Sequence, residues 1–338
     1  MSLQTVSRDF RWGLIGPGKI ARQFAESLRV VENSRLHTVV GRNMDRARQF
    51  SLEHNVPAYS DHHHEMLEDP AIDAVYIATP HRYHYQLVRD CLLAGKPVLC
   101  EKPLTVNAGE TRELIELARN SGLFLMEALW TRFLPIYKDV KHWLDTGRIG
   151  AVTSLNSSFG FVAPRNLADR LLNPDMAGGA LLDIGIYNLS VSQWVFGAQP
   201  ESHRISATLG PSGVDEYDSV TLNYQGQRSS EYLCSFIQVL ENAFTITGQY
   251  GSIRIHPGFW GATQATLFPG EKADQSRRAE TISRPFRATG LEYEIEAAQR
   301  CIREGLLESP DMLLADTLGT MVQLDALRRD IGLKYGFE

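Results

Sequence analysis

Short continuous apolar runs alternate with stretches of helical spacing through residues 8–128. Phe10-Arg11-Trp12-Gly13-Leu14-Ile15, residues 36–40, Ala74-Val75-Tyr76-Ile77-Ala78, Val98-Leu99-Cys100 and Leu123-Phe124-Leu125-Met126-Glu127-Ala128 have the length of buried strands and are rich in β-branched and other apolar residues. Between them Ile20, Phe24, Ala25 and Leu28 share one helix face. A second helix leads through Met66 and Leu67, and a later one covers residues 107–121 with Leu114, Leu117 and Ala118 on its apolar side. Strands alternating with helices predict an α/β Rossmann domain, a doubly wound parallel sheet, over residues 8–128. After a helix through Tyr137 and Trp143 the pattern changes at Gly147-Arg148-Ile149-Gly150. Residues 151–161 read as one long strand with Leu155, Phe159 and Phe161 on a common face. Further strands are predicted near 202–209, 217–225, 229–238, 243–248, 252–256 and 263–268. Residues 129–338 are therefore expected to form an α+β domain with an open, mostly antiparallel sheet. The charged, serine-containing segment 270–285 reads as a surface loop. Two closing helices, 291–308 and 311–331, are split by Ser309-Pro310 and are able to pack back on the first domain.

The chemistry-bearing residues cluster at the carboxyl ends of the predicted strands. The first strand runs into Gly16-Pro17-Gly18-Lys19-Ile20-Ala21, a G-x-G-x-x-A element. The first glycine suits a tight turn and the second allows close approach to a pyrophosphate. Small Ala21 lets helix and strand pack, and Lys19 and Ile20 open the helix on which phosphates would sit. The second strand ends in Gly41-Arg42, where an NAD enzyme usually carries an acid for the ribose; the first acid here is Asp45. Arg42 suits a 2′-phosphate, so NADP(H) is expected over NAD(H), with NAD(H) as the alternative. Thr79-Pro80-His81 ends the Ala74 strand and should face the cofactor, as should Trp130 and Arg132 beyond the last strand. His84 opens the next helix and reads equally as a capping or a site residue. The Val98 run ends in Glu101-Lys102-Pro103, and Pro103 stops the strand there. Lys102 then stands at the crevice where open α/β sheets bind ligands. In the second domain the double glycine of Gly178-Gly179-Ala180-Leu181-Leu182-Asp183-Ile184-Gly185-Ile186-Tyr187 permits a sharp entry, and Asp183 and Tyr187, four apart, share a helix face.

Composition changes this picture little but removes whole classes. The 338 residues carry a net charge of -6, with no basic stripe for nucleic acid. No apolar run approaches the ~18 residues a membrane span needs. The first residues carry no signal-peptide pattern, and the four cysteines, Cys91, Cys100, Cys234 and Cys301, include no C-x-x-C pair. A cytoplasmic protein with reduced thiols is the expectation. His62, His63 and His64 are consecutive; successive helix residues point ~100° apart, so the three should not converge on one metal, and no metal site is expected.

These motifs resemble the glucose–fructose oxidoreductase / inositol dehydrogenase / MocA family over nearly the whole chain. The carriers are Gly16-Pro17-Gly18-Lys19-Ile20-Ala21, Ala78-Thr79-Pro80, Glu101-Lys102-Pro103 and the run from Gly178 to Gly185. Glu127-Ala128-Leu129-Trp130-Thr131-Arg132-Phe133 and Tyr187 look most like the dimeric dihydrodiol dehydrogenase / NADP-dependent D-xylose dehydrogenase branch. Many family members carry histidine where Tyr187 stands, and that departure speaks against inositol dehydrogenase activity. The resemblance implies an NADP(H)-dependent dehydrogenase acting on a CH–OH group of a sugar (D-xylose or D-glucose type) or a trans-dihydrodiol. It implies Lys102 as acid/base, Tyr187 as hydrogen-bond donor or proton relay, and Asp183 orienting substrate or Tyr187. Glu101 would hold the strand end and the cofactor. Trp130, Phe133, Phe159, Phe161 and Tyr187 would form an aromatic substrate wall. A lysine suits the role only where its surroundings bring it toward ~7–8 from ~10.4. The family's usual dimer uses the open face of the second sheet, and the aromatic face of the long strand is compatible with that. An NADP(H)-binding sensor without turnover, or an NAD-dependent inositol or sugar dehydrogenase, are the alternatives.

Overall fold

Buried strands build the first sheet. In the computed structural model, which describes residues 8–270 and 278–338, they are β1 (Phe10–Ile15), β2 (Ser34–Val40), β3 (Ala58–Ser60), β4 (Ala74–Ile77), β5 (Val98–Glu101) and β6 (Leu125–Ala128). Helices α1 (Lys19–Leu28), α2 (Met44–His54), α3 (His63–Glu68), α4 (His84–Leu93) and α5 (Ala108–Ser121) alternate with them. The strands lie in the order β3-β2-β1-β4-β5-β6, all parallel. The chain winds outward from β1 to β3 and then restarts at β4, so the order reverses between β1 and β4, the place where such sheets bind ligands. Trp12, Phe24 and Tyr76 are fully buried, Phe24 stacking on Tyr76 with centroids 3.8 Å apart. Each such side chain contributes roughly 1.5–3 kcal/mol of burial.

The second sheet follows α6 (Pro135–Asp145). It contains β7 (Val152–Gly160), then, after α7 (Ile186–Phe196), β8 (Ser202–Leu209), β9 (Asp215–Tyr224), β10 (Arg228–Ser235), β11 (Phe244–Gly248), β12 (Gly251–Ile255), β13 (Gln264–Pro269) and β14 (Glu280–Ser283). Its order is β14-β13-β12-β11-β7-β10-β9-β8, antiparallel throughout except for the β7–β10 pair. The fold is thus a Rossmann-type α/β part and an α+β part with a mostly antiparallel sheet. Two final helices, α8 (Glu292–Arg303) and α9 (Leu314–Asp330), close the chain.

The chain divides into two compact units. The first holds the described residues up to Leu104 together with Glu110–Ala128 and Phe286–Leu314; the second holds Thr105–Gly109, the described part of Leu129–Pro285, and Ala315–Glu338. The change of unit after Ala128 follows the end of β6, while α8 returns to the first unit. There Glu292 accepts the amides of Arg287, Ala288 and Gly290 and the hydroxyl of Ser27 on α1.

Two readings of the second half need correction. Of the segment expected as a surface loop, residues 271–277 lie outside the described residues, and Glu280–Ser283 is a strand, paired with Gln264–Leu267. The aromatic face of the long strand is not open to a partner: Leu155 and Phe159 are 2% and 7% exposed. The other face carries exposed Asn156 and half-buried Ser158. Alternation fixes which residues share a face but not which face meets the helices.

Candidate active site

In the first unit the turn after β1 forms a cradle. Gly16 sits at φ +97°, and a Cβ there would come within 2.8 Å of the Ala78 carbonyl oxygen at the end of β4. Its N–H donates to Val40 (2.8 Å), and the Gly18 N–H donates back to Gly16 (2.7 Å). Gly18 caps α1 without a side chain, so no cap side chain blocks the approach of an anion to the first-turn amides. Lys19 is exposed and Ile20 half-buried at this helix start. Thr79 follows β4, and its buried hydroxyl has no hydrogen-bond partner among the described residues. At the end of β2 exposed Arg42 lies over the Tyr83 ring (4.8 Å) and donates to its hydroxyl (3.2 Å). Asn43 caps α2 by accepting from Arg46, and Asp45 lies within that helix. The glycine cradle and the orphaned Thr79 hydroxyl fit a pyridine dinucleotide.

The end of β5 is anchored on every side of Lys102. The Tyr76 hydroxyl on β4 donates to Glu101. Burial, then the Glu101 charge, pushes the phenol well above its ordinary range, which keeps it a donor. Glu294 of α8 is fully buried in the same unit, and burial, with the Glu101 charge added, pushes its carboxyl well up. Beyond Lys102 the Pro103 carbonyl meets His84 Nδ1 (2.8 Å), and the Leu104 N–H donates to Glu127 of β6 (2.9 Å). Lys102 itself is half-buried, as is Pro80, whereas His81 is buried at 7% exposure.

In the second unit the G-G-A-L-L-D segment is pinned from below. Tyr335 donates to the Gly178 carbonyl (2.7 Å). Gly179 has φ +130°, and a Cβ there would lie 2.2 Å from Asp215 Oδ1, so a side chain is excluded twice over. Asp215 Oδ2 accepts the Leu181 N–H (2.5 Å). Residues Leu181–Gly185 form a π-helical turn before α7, not the plain α-helix the spacing suggested. Asp183, 4% exposed, accepts from Arg170 (3.0 Å), and Tyr187, 7% exposed, accepts from Trp130 Nε1 (3.3 Å). That accepting role does not use the phenol's own proton. Phe159 stacks on Trp260 with centroids 3.4 Å apart and lies 5.9 Å from Tyr187. Trp130, Phe159 and Tyr187 are therefore brought together. Phe161 is 6.3 Å from Phe159 and packs on Phe236, while Phe133 is a core residue at 2% exposure. Arg132 is largely buried and paired with Asp316 (3.0 Å). Arg170, Asp215 and Trp260, which contact Asp183, Leu181 and Phe159, are residues that sequence reasoning missed.

Behind this turn Asp215 and Asp218 form a buried pair, with the Cys234 thiol donating to Asp218 (3.3 Å). Burial pushes both carboxyls up, and the Asp215 charge pushes Asp218 further. A carboxyl protonated when folded and ionised when unfolded binds more protons in the native state. Its contribution to stability is therefore lost as pH rises from the ordinary carboxylate range through neutrality. Asp218→Asn keeps a donor toward Asp215. It is expected to unfold at a higher temperature than the parent near about pH 8, with the gain shrinking toward about pH 5. Equal shifts at both pH values in thermal melts would show that no such proton is held.

Among the described residues one group has metal-ligand character. His63, His64 and Asp90 place their ligand atoms within 4.8 Å of one another. His62 is not in that group, so the three consecutive histidines do not converge together, and His63 pairs with Asp90 at 3.0 Å. All four cysteines are buried thiols, and no described helix is long and apolar enough to cross a membrane.

A six-stranded parallel sheet with a glycine turn at its switch point defines a dinucleotide-binding Rossmann fold. Residues 10–129 match the model of the oxidoreductase family with an NAD-binding Rossmann fold, and residues 137–254 match the GFO/IDH/MocA C-terminal domain. The chain belongs to the GFO/IDH/MocA oxidoreductase family. It is 35% identical to the trans-1,2-dihydrobenzene-1,2-diol dehydrogenase of Xenopus laevis, over 96% of this chain and 99% of the relative. A 3-ketoreductase from Actinomadura kijaniata, solved with NADP and TDP-benzene, superposes with a TM-score of 0.83 at 25% identity, covering 95% of this chain and 98% of its own. The aldose–aldose oxidoreductase of Caulobacter crescentus has the same fold, with a TM-score of 0.86 at 21% identity over 96% and 99% of the two chains.

Proposed function

We propose that the protein is an NADP(H)-dependent dehydrogenase that oxidises a CH–OH group of a trans-dihydrodiol or an aldose, or reduces the matching carbonyl. The observation that carries the reading is Lys102, half-buried at the carboxyl end of β5 and flanked by the Tyr76–Glu101, His84–Pro103 and Glu127–Leu104 bonds. The dihydrodiol dehydrogenase relatives and the NADP-bound ketoreductase support the substrate and cofactor classes.

In this reading Gly16, Gly18, Lys19 and Ile20 bind the pyrophosphate, Arg42 the 2′-phosphate, and Thr79, Pro80, His81 and Glu101 the nicotinamide half. Trp130 and Arg132 complete that set. When bound, the nicotinamide supplies the hydride acceptor or donor. Lys102 Nζ takes the proton from the reacting hydroxyl in oxidation and returns it in reduction. Tyr187 donates a hydrogen bond to the same oxygen, held in place by Trp130. Asp183 orients the neighbouring substrate hydroxyl. Phe159 and Phe161 supply an apolar wall for a ring. Two copies would pair through the open face of the second sheet, in a cytoplasmic setting.

Arg42 is the test of the cofactor assignment. Charge-assisted bonds to a phosphate are worth about 1.5–3 kcal/mol, so Arg42→Ala should weaken NADPH binding by roughly 10- to 10²-fold and leave NADH unaffected. Fluorescence titration of both nucleotides measures this. Equal weakening of the two would place Arg42 on the adenine and remove it from phosphate recognition.

A further inference from the structure

His84 is fully buried, and the dehydrogenase chemistry leaves it without a task. Its two ring nitrogens face two main-chain carbonyls at hydrogen-bond distance: Nδ1 meets Pro103 and Nε2 meets Thr79, each at 2.8 Å. Those carbonyls belong to the segments that follow β5 and β4, nineteen and five residues away from His84. One segment carries Lys102 and the other Thr79. We propose that His84 is a positioning residue that ties the Lys102-bearing turn to the end of β4 through the Pro103 and Thr79 carbonyls.

Both contacts present an acceptor, so the ring serves only as a donor here. A neutral imidazole donates to one carbonyl at a time, and a doubly protonated ring donates to both. Burial opposes the second proton and, with the charges of His81 and Lys102, pulls the group down to about 4 against the pull of the two carbonyls. At neutral pH the ring therefore holds one carbonyl by its proton and fills the space against the other. Removing the donor orphans a buried carbonyl and loosens the turn on one side of Lys102. The Tyr76–Glu101 and Glu127–Leu104 bonds remain on the other sides. Misplacing a reacting group by about 1 Å costs on the order of 10²-fold in rate.

This inference rests on the assignment of Lys102 as acid/base, and its test separates the two. His84→Gln keeps N–H donors in a neutral side chain, whereas His84→Leu keeps apolar bulk and no donor. Amide hydrogen exchange read by mass spectrometry needs no substrate. In His84→Leu, the segment whose carbonyl takes the ring proton, 79–84 or 101–104, should lose protection while β1 and β2 keep theirs, and His84→Gln should restore it. For turnover, His84→Leu should lose on the order of 10²-fold in kcat with NADPH affinity largely kept, and His84→Gln should recover most of the loss. Protection restored by leucine as well as by glutamine would overturn the proposal, because packing would then suffice. So would parental protection of both segments in His84→Leu. Exchange that follows the proposal in a protein that turns nothing over would keep the tie and refute the role of Lys102.

Discussion

Lys102→Met is expected to lose turnover by about 10⁴-fold, the upper end of what a general acid–base group contributes. Methionine approximates the length of the lysine stem but removes the group that exchanges the hydroxyl proton. The anchors around the position involve Glu101, Pro103 and Leu104 and do not use the lysine amine, so the turn should survive the change. The nucleotide cradle lies in the turn after β1, and NADPH affinity should therefore stay close to that of the parent. Stopped-flow or steady-state absorbance gives the rate, and fluorescence titration gives the affinity. Parental kcat in Lys102→Met would end the acid/base assignment.

Tyr187→Phe should cost between about 10²- and 10⁴-fold in kcat if the phenol takes part in moving the proton. The ring contacts survive the change: Phe159 lies 5.9 Å from Tyr187 and can pack on a phenylalanine equally well. What is lost is one hydroxyl, and with it the acceptor for Trp130 Nε1. A fall in kcat with a melting temperature near that of the parent marks a chemical role. An unchanged kcat would make Tyr187 a packing residue in an aromatic cluster.

Much of the first unit was legible because its signals are local. An apolar run cut off by Glu101-Lys102-Pro103 states where β5 ends, and β5 does end at Glu101. Gly16-Pro17-Gly18 between a strand and a helix states where the turn lies, and the +97° dihedral of Gly16 is the reason a glycine stands there. The second unit was legible in its periodicity and less so in its directions. Leu155 and Phe159 do share a face, but one strand does not reveal which face is covered. A five-residue π-helical turn has the same apolar composition as an α-helical one, so Leu181–Gly185 could not be told apart from the residues after it. Asp215 reads as an ordinary charged strand end, and only the fold brings it under Leu181, thirty-four residues earlier. Arg170 and Trp260 lie outside strands, where polar and aromatic residues are common for many reasons. His84 was ambiguous because its partners are carbonyls, which every residue has.

The most direct measurement of the central claim is absorbance at the reduced-nicotinamide band. Purified protein would be offered NADP or NAD with D-xylose, D-glucose, myo-inositol and trans-dihydrobenzenediol. The account predicts that NADP is reduced faster than NAD, with the dihydrodiol or the aldose as substrate, and that Lys102→Met silences the signal. Reduction of NAD by inositol, or a signal that survives in Lys102→Met, would contradict it.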